Sequence, residues 1–575
     1  MRRRNFHYLW AFLFFTLLAV LWTWPLVTKM STSVVGTIGD NIYFVWLIGW
    51  FRKALFELHV SPVLVPFLNY PQGFNLAYTE ISQAQIALAL PASLVAGPIF
   101  GYNFAMLACF VLSALAMYIW VRHLTGSTGA ALVAGMLYGF LPYRVAHFLI
   151  GHLNLSGTMW LPLYFMGLYD LLRAPKGSRF PWKPALLAVV SLGLLAFTSQ
   201  YYTYMALLFS AVFVLVYFLL SRPRRAWIAA TWKGLAGFGL AALPVLAVSA
   251  LPYLQLSSQG QMPNRSVSYV RMYSASPTDF ILPSTDHFLW GRFIGTHFDR
   301  SMWIEATLYI GVIAFLLALL AYLRRKTSPH RLLIGGLLAI AACGFVLALG
   351  TDLHWLNQPV TVKVPGFLQA LVRRQEAPIP LPGYLMFLYF PFFAKMRAMM
   401  RFGLFVLLPV CVLAGLGAAG LLANRTRGKA ALITALLLAL VFVDFYPGPF
   451  PQFSTVQARP VDAWLAQQPG QGAVAQFPFR LAADQDQTYY TLTHGKPYIG
   501  GFFNAFIPEQ YARIQPVLDH FPSPESVSLL RQLGVQYVLV ETSQYPNLGE
   551  VEGELQRQGL TRLTQQGDEV VYELR

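Results

Sequence analysis

Long apolar runs separated by short polar breaks occupy the first three quarters of the chain. Runs of about 18 or more mostly apolar residues are long enough for helices that satisfy their own backbone hydrogen bonds in lipid. The pattern predicts a first span from Tyr8 to about Val27, then spans near 103–121, 129–148, 155–172, 184–200, 203–221, 233–254, 306–323, 332–350, 402–423 and 430–446, about eleven helices. The basic start and apolar run at the amino end resemble a signal peptide, but Trp22-Thr23-Trp24-Pro25 is a poor cleavage site, so the run reads as a retained first helix. The first loop, residues 28–102, holds two stretches expected to be helical without crossing. Residues 41–57 are aromatic, end on Arg52 and Lys53 and are too short to span, and 83–101 are interrupted by Pro91 and Pro98; both are expected to lie in the membrane interface.

From about Gly448 the pattern changes. The tail carries thirteen of the 24 Asp and Glu against eight Lys and Arg, and has no run long enough to cross. Residues 472–479, 535–540 and 569–573 have strand composition, and 525–532 and 549–558 look helical, so 448–575 is expected to form a small soluble α/β domain after a membrane domain over 1–447.

Composition agrees: 56% of the 575 residues are hydrophobic and 11% charged, which marks a polytopic membrane protein. The net charge of +17 does not point to nucleic acid, because the basic residues fall in short clusters between the apolar runs. These are Arg2-Arg3-Arg4, Arg122-His123, Arg173 to Lys183, Arg222 to Lys233, Arg324 to Arg331 and Arg425 to Lys429. Placing them all on the cytoplasmic side puts the amino end inside, the first loop and the segments 255–304 and 351–400 outside, and the tail outside the cell membrane. Counting 83–101 as a span would invert every later cluster. The three cysteines, Cys109, Cys343 and Cys411, lie in apolar stretches and read as core residues.

Asp40, in Gly39-Asp40-Asn41, follows the first span at the outer surface, where a carboxylate can take a proton from an acceptor hydroxyl while a lipid-linked donor arrives sideways from the bilayer. The same residue also fits an N-cap of the next helix. Arg144, near the outer end of the third span, is costly in lipid and suits an anionic group, a cavity or the interface. Arg397 and Arg401, four apart at the start of the tenth span, would share a helical face and form a fork for a lipid phosphate, or snorkel to headgroups. Glu305, at the outer start of the eighth span, is a second acid or metal ligand, or serves a helix amino end. His152 and Asn154, in Gly151-His152-Leu153-Asn154, can bind a metal or a sugar hydroxyl, and a structural histidine is the plain alternative. Gln200, Tyr201 and Tyr202, in a tight outer turn, are polar and aromatic as in sugar sites, or belong to an interfacial belt. Glu80, Asp279, Asp286, His287 and Asp299 are outer-loop candidates of lower rank. There is no P-loop, dinucleotide fingerprint, zinc spacing or nucleophile elbow, so no nucleotide cofactor is expected.

Several local motifs together resemble the GT-C superfamily of integral-membrane glycosyltransferases, and within it the bacterial YfhO-like proteins. They are Gly39-Asp40-Asn41, Tyr70-Pro71-Gln72-Gly73, Tyr143-Arg144 with Gly151-His152-Leu153-Asn154, Glu305 to Gly311, Met396 to Phe402, His494-Gly495-Lys496-Pro497 and 533–538. The resemblance implies a polyprenyl-phosphate-sugar donor, an envelope glycan, lipid or protein acceptor, and Asp40 as the first-loop catalytic acid. It also leaves room for a divalent metal, Mg or Mn, held by Asp40, His152 and Glu305. Many relatives carry a second acid where this chain has His152 and Asn154. That departure keeps open a GT-C-like scaffold without catalysis, and the polar residues among the helices keep open a transporter of lipid-linked substrates.

Overall fold

Apolar length fixes the helices here, and every predicted run is helical. The computed structural model describes residues 6–574 apart from 174–179, 301, 368, 370–372, 374, 451 and 504–505. The cluster Arg2-Arg3-Arg4 and the middle of the cluster from Arg173 to Lys183 therefore lie outside the described residues. Among the described residues seven helices are long and apolar enough to cross a membrane: Gln83–Thr125, Thr128–Leu149, Gln200–Leu220, Arg224–Ser258, Arg331–Ala348, Met399–Leu422 and Arg427–Phe445. The other four predicted runs form shorter helices, Phe6–Trp22, Trp160–Leu172, Trp182–Ala196 and Val312–Leu323. The chain is thus built as a multi-pass membrane protein.

The basic breaks gather at one end of the bundle. His123 Nε2 reaches the Asp170 carboxylate at 3.0 Å, His330 bonds to the Leu124 carbonyl and to the Tyr169 hydroxyl, and Trp227 Nε1 donates to the Leu172 carbonyl. The first loop and the tail meet at the other end.

Both first-loop stretches are helical. The segment 83–101 is helical and continues into the second span, but the helix breaks at Ala96 and Gly97, where Gly97 has φ +87°. Pro91 is accommodated inside the first piece, and Pro98 opens the second, where its missing N–H costs nothing. The piece before the break folds back on the span, since a Cβ at Gly101 would lie 2.7 Å from Ser93 Cβ. The helix Asp40–Phe56 forms as predicted but does not lie on a surface. Residues from Asn41 to Phe51 are buried, because Gln83–Thr125 covers one side and the tail helix Leu481–His494 another.

In the tail, Ala473–Phe477 runs parallel to Val535–Glu541, which pairs antiparallel with Glu569–Leu574, which in turn pairs antiparallel with Leu560–Gln566. Helices pack around this four-stranded sheet. The first loop is bonded into the tail along its length. Ser33–Val35 pairs with Phe453–Thr455, Tyr70 N donates to the Tyr498 carbonyl at 3.1 Å, and Trp46 Nε1 donates to Thr491 Oγ1 at 3.2 Å.

Candidate active site

The helix that starts at Asp40 is capped by its neighbour. Gly39 is the N-cap, and its N–H donates to Asn41 Oδ1 at 2.9 Å. Asp40 therefore makes no cap hydrogen bond; its Oδ2 accepts from His152 Nε2 at 2.8 Å. The turn that delivers His152 depends on Gly151, which has φ +82° and lies so close to the start of the Asp40 helix that a Cβ there would be 2.4 Å from Asn41 Cβ. Glycine alone suits both the backbone angle and the approach.

His152 continues a chain of polar contacts inward. Its Nδ1 is 2.8 Å from His147 Nδ1, and His147 Nε2 is 3.8 Å from Glu305 Oε2. Glu305 in turn holds Arg401, through Nη2–Oε1 at 2.5 Å and Nε contacts of 3.1 and 3.2 Å. If His152 donates to Asp40 through Nε2, its Nδ1 accepts from His147, and His147 Nε2 is left as a bare acceptor. That atom is buried without a hydrogen-bond partner among the described residues, and it faces a carboxylate oxygen. Two facing acceptors favour a shared cation or proton. Ligand atoms of His147, His152 and Glu305 lie within 4.8 Å of one another, so two imidazoles and a carboxylate fit a divalent metal. Asp40 is not in that set. It sits on His152 Nε2, where a carboxylate orients a histidine.

Charge sets the state of the two acids. Burial pushes the Asp40 carboxyl up, but the His152 hydrogen bond and the nearby charges of His152, Arg397 and Arg401 hold it below its ordinary value. For Glu305, burial also pushes up, and the Arg401 guanidinium brings the carboxyl down to about 2. Both are carboxylates at neutral pH.

A cavity of about 510 Å³ opens beside Asp40 and His152. Glu80, Asn154, Gln200 and Tyr201 line it, as do Arg265, Lys395, Arg397 and Arg401. Leu207, Leu254 and Phe392 line it and are also 40%, 45% and 54% exposed, so the cavity has an apolar mouth at the side of the bundle. The tail contributes Gln485, Phe503 and Phe506.

The structure thus brings Asp40, His152, Glu305, Arg401, Arg397, Asn154, Gln200 and Tyr201 to one place, with several expected roles changed. Arg397 and Arg401 do not share a helical face: residues Met399–Gly403 form a 3₁₀ turn and Arg397 precedes it in extended chain. Arg401 is spent on Glu305 and stacks over Tyr201 at 5.0 Å, whereas Arg397 lies over the Tyr273 ring at 5.1 Å. Glu305 belongs to the separate turn Trp303–Ala306, since the eighth helix starts only at Val312. Among the described residues Arg144 meets no acid; it donates to the Ser156 carbonyl and Thr158 Oγ1 and packs over Phe110 and Tyr138, which ties down the turn carrying His152. Tyr202 is buried outside the cavity, 2.8 Å from the Tyr143 hydroxyl. Gln200 Nε2 donates to the Ala196 and Ser249 carbonyls. Asp279 pairs with Arg300 at 2.5 Å and His287 bonds the Asp444 carbonyl, away from the cavity.

Sequence reasoning missed His147 and the cations Arg265 and Lys395, and ranked Glu80 too low. His147 had a signal, a second histidine five residues before His152 across a glycine turn.

Solved structures show the same fold. The oligosaccharyltransferase of Archaeoglobus fulgidus in the apo form is 12% identical with TM-score 0.53, covering 95% of this chain and 70% of that one. The same archaeal enzyme tethered with an acceptor peptide is 14% identical with TM-score 0.51, covering 100% and 74%. The arabinofuranosyltransferase AftD from Mycobacteria is 16% identical with TM-score 0.55, covering 99% of this chain and 41% of its own. The chain therefore shares the fold of these transferases, and the narrower YfhO-like resemblance has no counterpart in the family model. No curated protein matches in sequence. Residues 9–377 match the model of DUF6311, a domain of unknown function, and the chain belongs to that family.

Proposed function

We propose that the chain is an inverting membrane glycosyltransferase that moves a sugar from a polyprenyl-phosphate carrier to an envelope glycan, lipid or protein. One observation carries this reading. The Asp40 carboxylate, oriented by His152, opens into a cavity that also holds Arg265, Lys395 and Arg397 and reaches the bundle's side through an apolar mouth. A lipid phosphate needs cations beside a greasy entrance, and an acceptor needs a base beside both. The acceptor O–H gives its proton to Asp40 as its oxygen bonds the anomeric carbon, and the bond from that carbon to phosphate oxygen breaks. The carrier leaves as polyprenyl phosphate, its charge met by the cations.

Asp40 is a weak base in the ground state because its pKa is depressed. Proton transfer therefore accompanies the bond changes, and proximity supplies much of the rate. His152 acts as a positioning residue. A metal held by His147, His152 and Glu305 would supply positive charge to the site; its imidazole donors suit zinc better than magnesium. The basic clusters at the opposite end support an outward-facing cavity and tail, in the cytoplasmic membrane.

The test is turnover of a panel of polyprenyl-phosphate sugars by purified protein, with and without divalent metal. Asp40→Asn should lower turnover by about 10²-fold or more with folding unchanged. Equal turnover by Asp40→Asn, or no turnover of any carrier-linked sugar, refutes the reading.

A further inference from the structure

Among the described residues Glu80 is the one cavity-lining carboxylate besides Asp40, and the mechanism above does not use it. Its environment is built entirely from neutral donors. Ser199 Oγ donates to Oε1 at 2.8 Å, the Tyr201 N–H donates to Oε1 at 3.3 Å, and Asn154 Nδ2 donates to Oε2. Among the described residues no Lys, Arg or His forms an ion pair with it. These contacts hold the acid at the amino end of the helix Gln200–Leu220, whose first turn it helps to satisfy.

The three donors leave acceptor capacity on the carboxylate, which has about four lone-pair sites. Asn154 adds more. With one amide N–H committed to Glu80, its Oδ1 is buried without a hydrogen-bond partner among the described residues, in a residue that lines the cavity. Glu80 and Asn154 thus leave acceptor sites unfilled, and the cations of the cavity come from other segments, Arg265, 395–397 and Arg401, the first two joined where Lys395 Nζ donates to the Met262 carbonyl. A phosphate belongs with the second group. The first group needs a ligand rich in hydroxyl donors.

Resting on the proposed donor class, we propose that Glu80 and Asn154 form the subsite for the hydroxyls of the transferred sugar, with Glu80 the residue that determines which sugar binds. One hydrogen bond from a neutral hydroxyl to a charged acceptor corresponds to about ten- to a hundredfold in affinity.

The experiment measures binding, not turnover, so that it separates this subsite from the reaction. Affinities of full-length protein in detergent are compared for polyprenyl phosphate, polyprenyl-phosphate hexose and its monodeoxy analogues. Wild type should bind the hexose form at least about tenfold tighter than the bare phosphate, and at least one monodeoxy analogue should lose that gain. Glu80→Gln should bind hexose, deoxy and bare forms alike, at the wild-type affinity for the bare phosphate, with thermal unfolding close to wild type. Because the deoxy series is read in wild type, poor folding of Glu80→Gln does not decide the outcome. Hexose and bare phosphate bound equally by wild type, or no deoxy analogue weakened, overturns the subsite while leaving the donor class intact. Absence of binding to every polyprenyl phosphate overturns the donor class and the subsite together.

Discussion

Arg401 is the residue whose role changes most between sequence and structure, and removing it separates the two roles. Arg401→Met leaves the Glu305 carboxylate, 4% exposed, without its cation and beside His147. Breaking a buried, hydrogen-bonded ion pair from one side costs about 3–5 kcal/mol, because the remaining charge stays desolvated. The acid gives an independent figure. Its carboxyl falls from 4.5 to about 2, and 2.5 units at 1.36 kcal/mol each is about 3 kcal/mol of native-state preference for the ionised form. For a depressed acid this stabilisation is present above its ordinary value and is lost as pH falls toward the folded value, so it is complete at neutral pH. Arg401→Met and Glu305→Gln should each destabilise by about 3 kcal/mol, and the double variant by much less than the sum, since two neutral side chains replace an ion pair at little net cost. The assay is a double-mutant cycle on reversible unfolding in mixed micelles at pH 7.5. A coupling under about 1 kcal/mol, together with a loss of donor affinity confined to Arg401→Met, would return Arg401 to the phosphate and refute the ion-pair assignment.

Gly151→Ala forces a Cβ at φ +82° against Asn41, a strain of about 1–2 kcal/mol, and should lower turnover through the misplaced His152 more than it lowers thermal stability; comparing kcat with unfolding temperature checks this. Gly417→Ala would put a Cβ 1.9 Å from the Leu317 carbonyl oxygen, so the helices Val312–Leu323 and Leu404–Leu422 must part, with a loss of about 1–3 kcal/mol seen in detergent melting. Asp484 in the tail accepts from Tyr498 Oη at 2.7 Å, Gly501 N at 2.6 Å and Phe502 N, and burial raises its carboxyl from 3.8 to about 6 despite them. Its folded form therefore holds a proton that the unfolded chain has lost, and its contribution to stability declines by about 3 kcal/mol as pH rises from 4 through 6. Asp484→Asn should flatten that part of the stability-against-pH curve, and an unchanged slope counts against the assignment.

Apolar run length was the legible part of the fold. A helix crossing lipid needs length and little else, so each predicted run became a helix even where, as at Val312–Leu323, it is short. What run length does not encode is where a helix ends against its neighbours. Glu305 was placed on the eighth span because the apolar pattern continues through Ala306, yet Gly311 at φ +87° turns the chain and leaves the acid on a separate turn facing His147. The tail shows the complementary limit. The buried strands Ala473–Phe477 and Val535–Glu541 are mostly apolar, but Leu560–Gln566 is an edge strand with polar residues at most positions, and nothing in Leu-Thr-Arg-Leu-Thr-Gln-Gln separates it from loop.

The site was legible wherever function and scarcity coincide. An acid, a histidine and arginines in a strongly apolar chain stand out because burying them is costly, and Asp40, His152, Glu305 and Arg401 do converge. Their pairing was not legible, because a charge that suits a ligand also suits another side chain. Arg401 and Glu305 are 96 positions apart and satisfy each other, and Arg144 serves two backbone-proximal oxygens instead of an anion. Residues that matter through geometry alone leave a fainter trace. Glu80 reads as a solvated loop acid until the fold delivers Ser199, Tyr201 and Asn154 to it, and Phe503 enters the cavity only because the tail folds onto the Asp40 helix, where its ring lies 4.2 Å from that of Tyr43. The cavity is therefore a joint product of bundle, first loop and tail. There the few charged residues that an apolar sequence leaves in plain view meet groups whose position only the fold supplies.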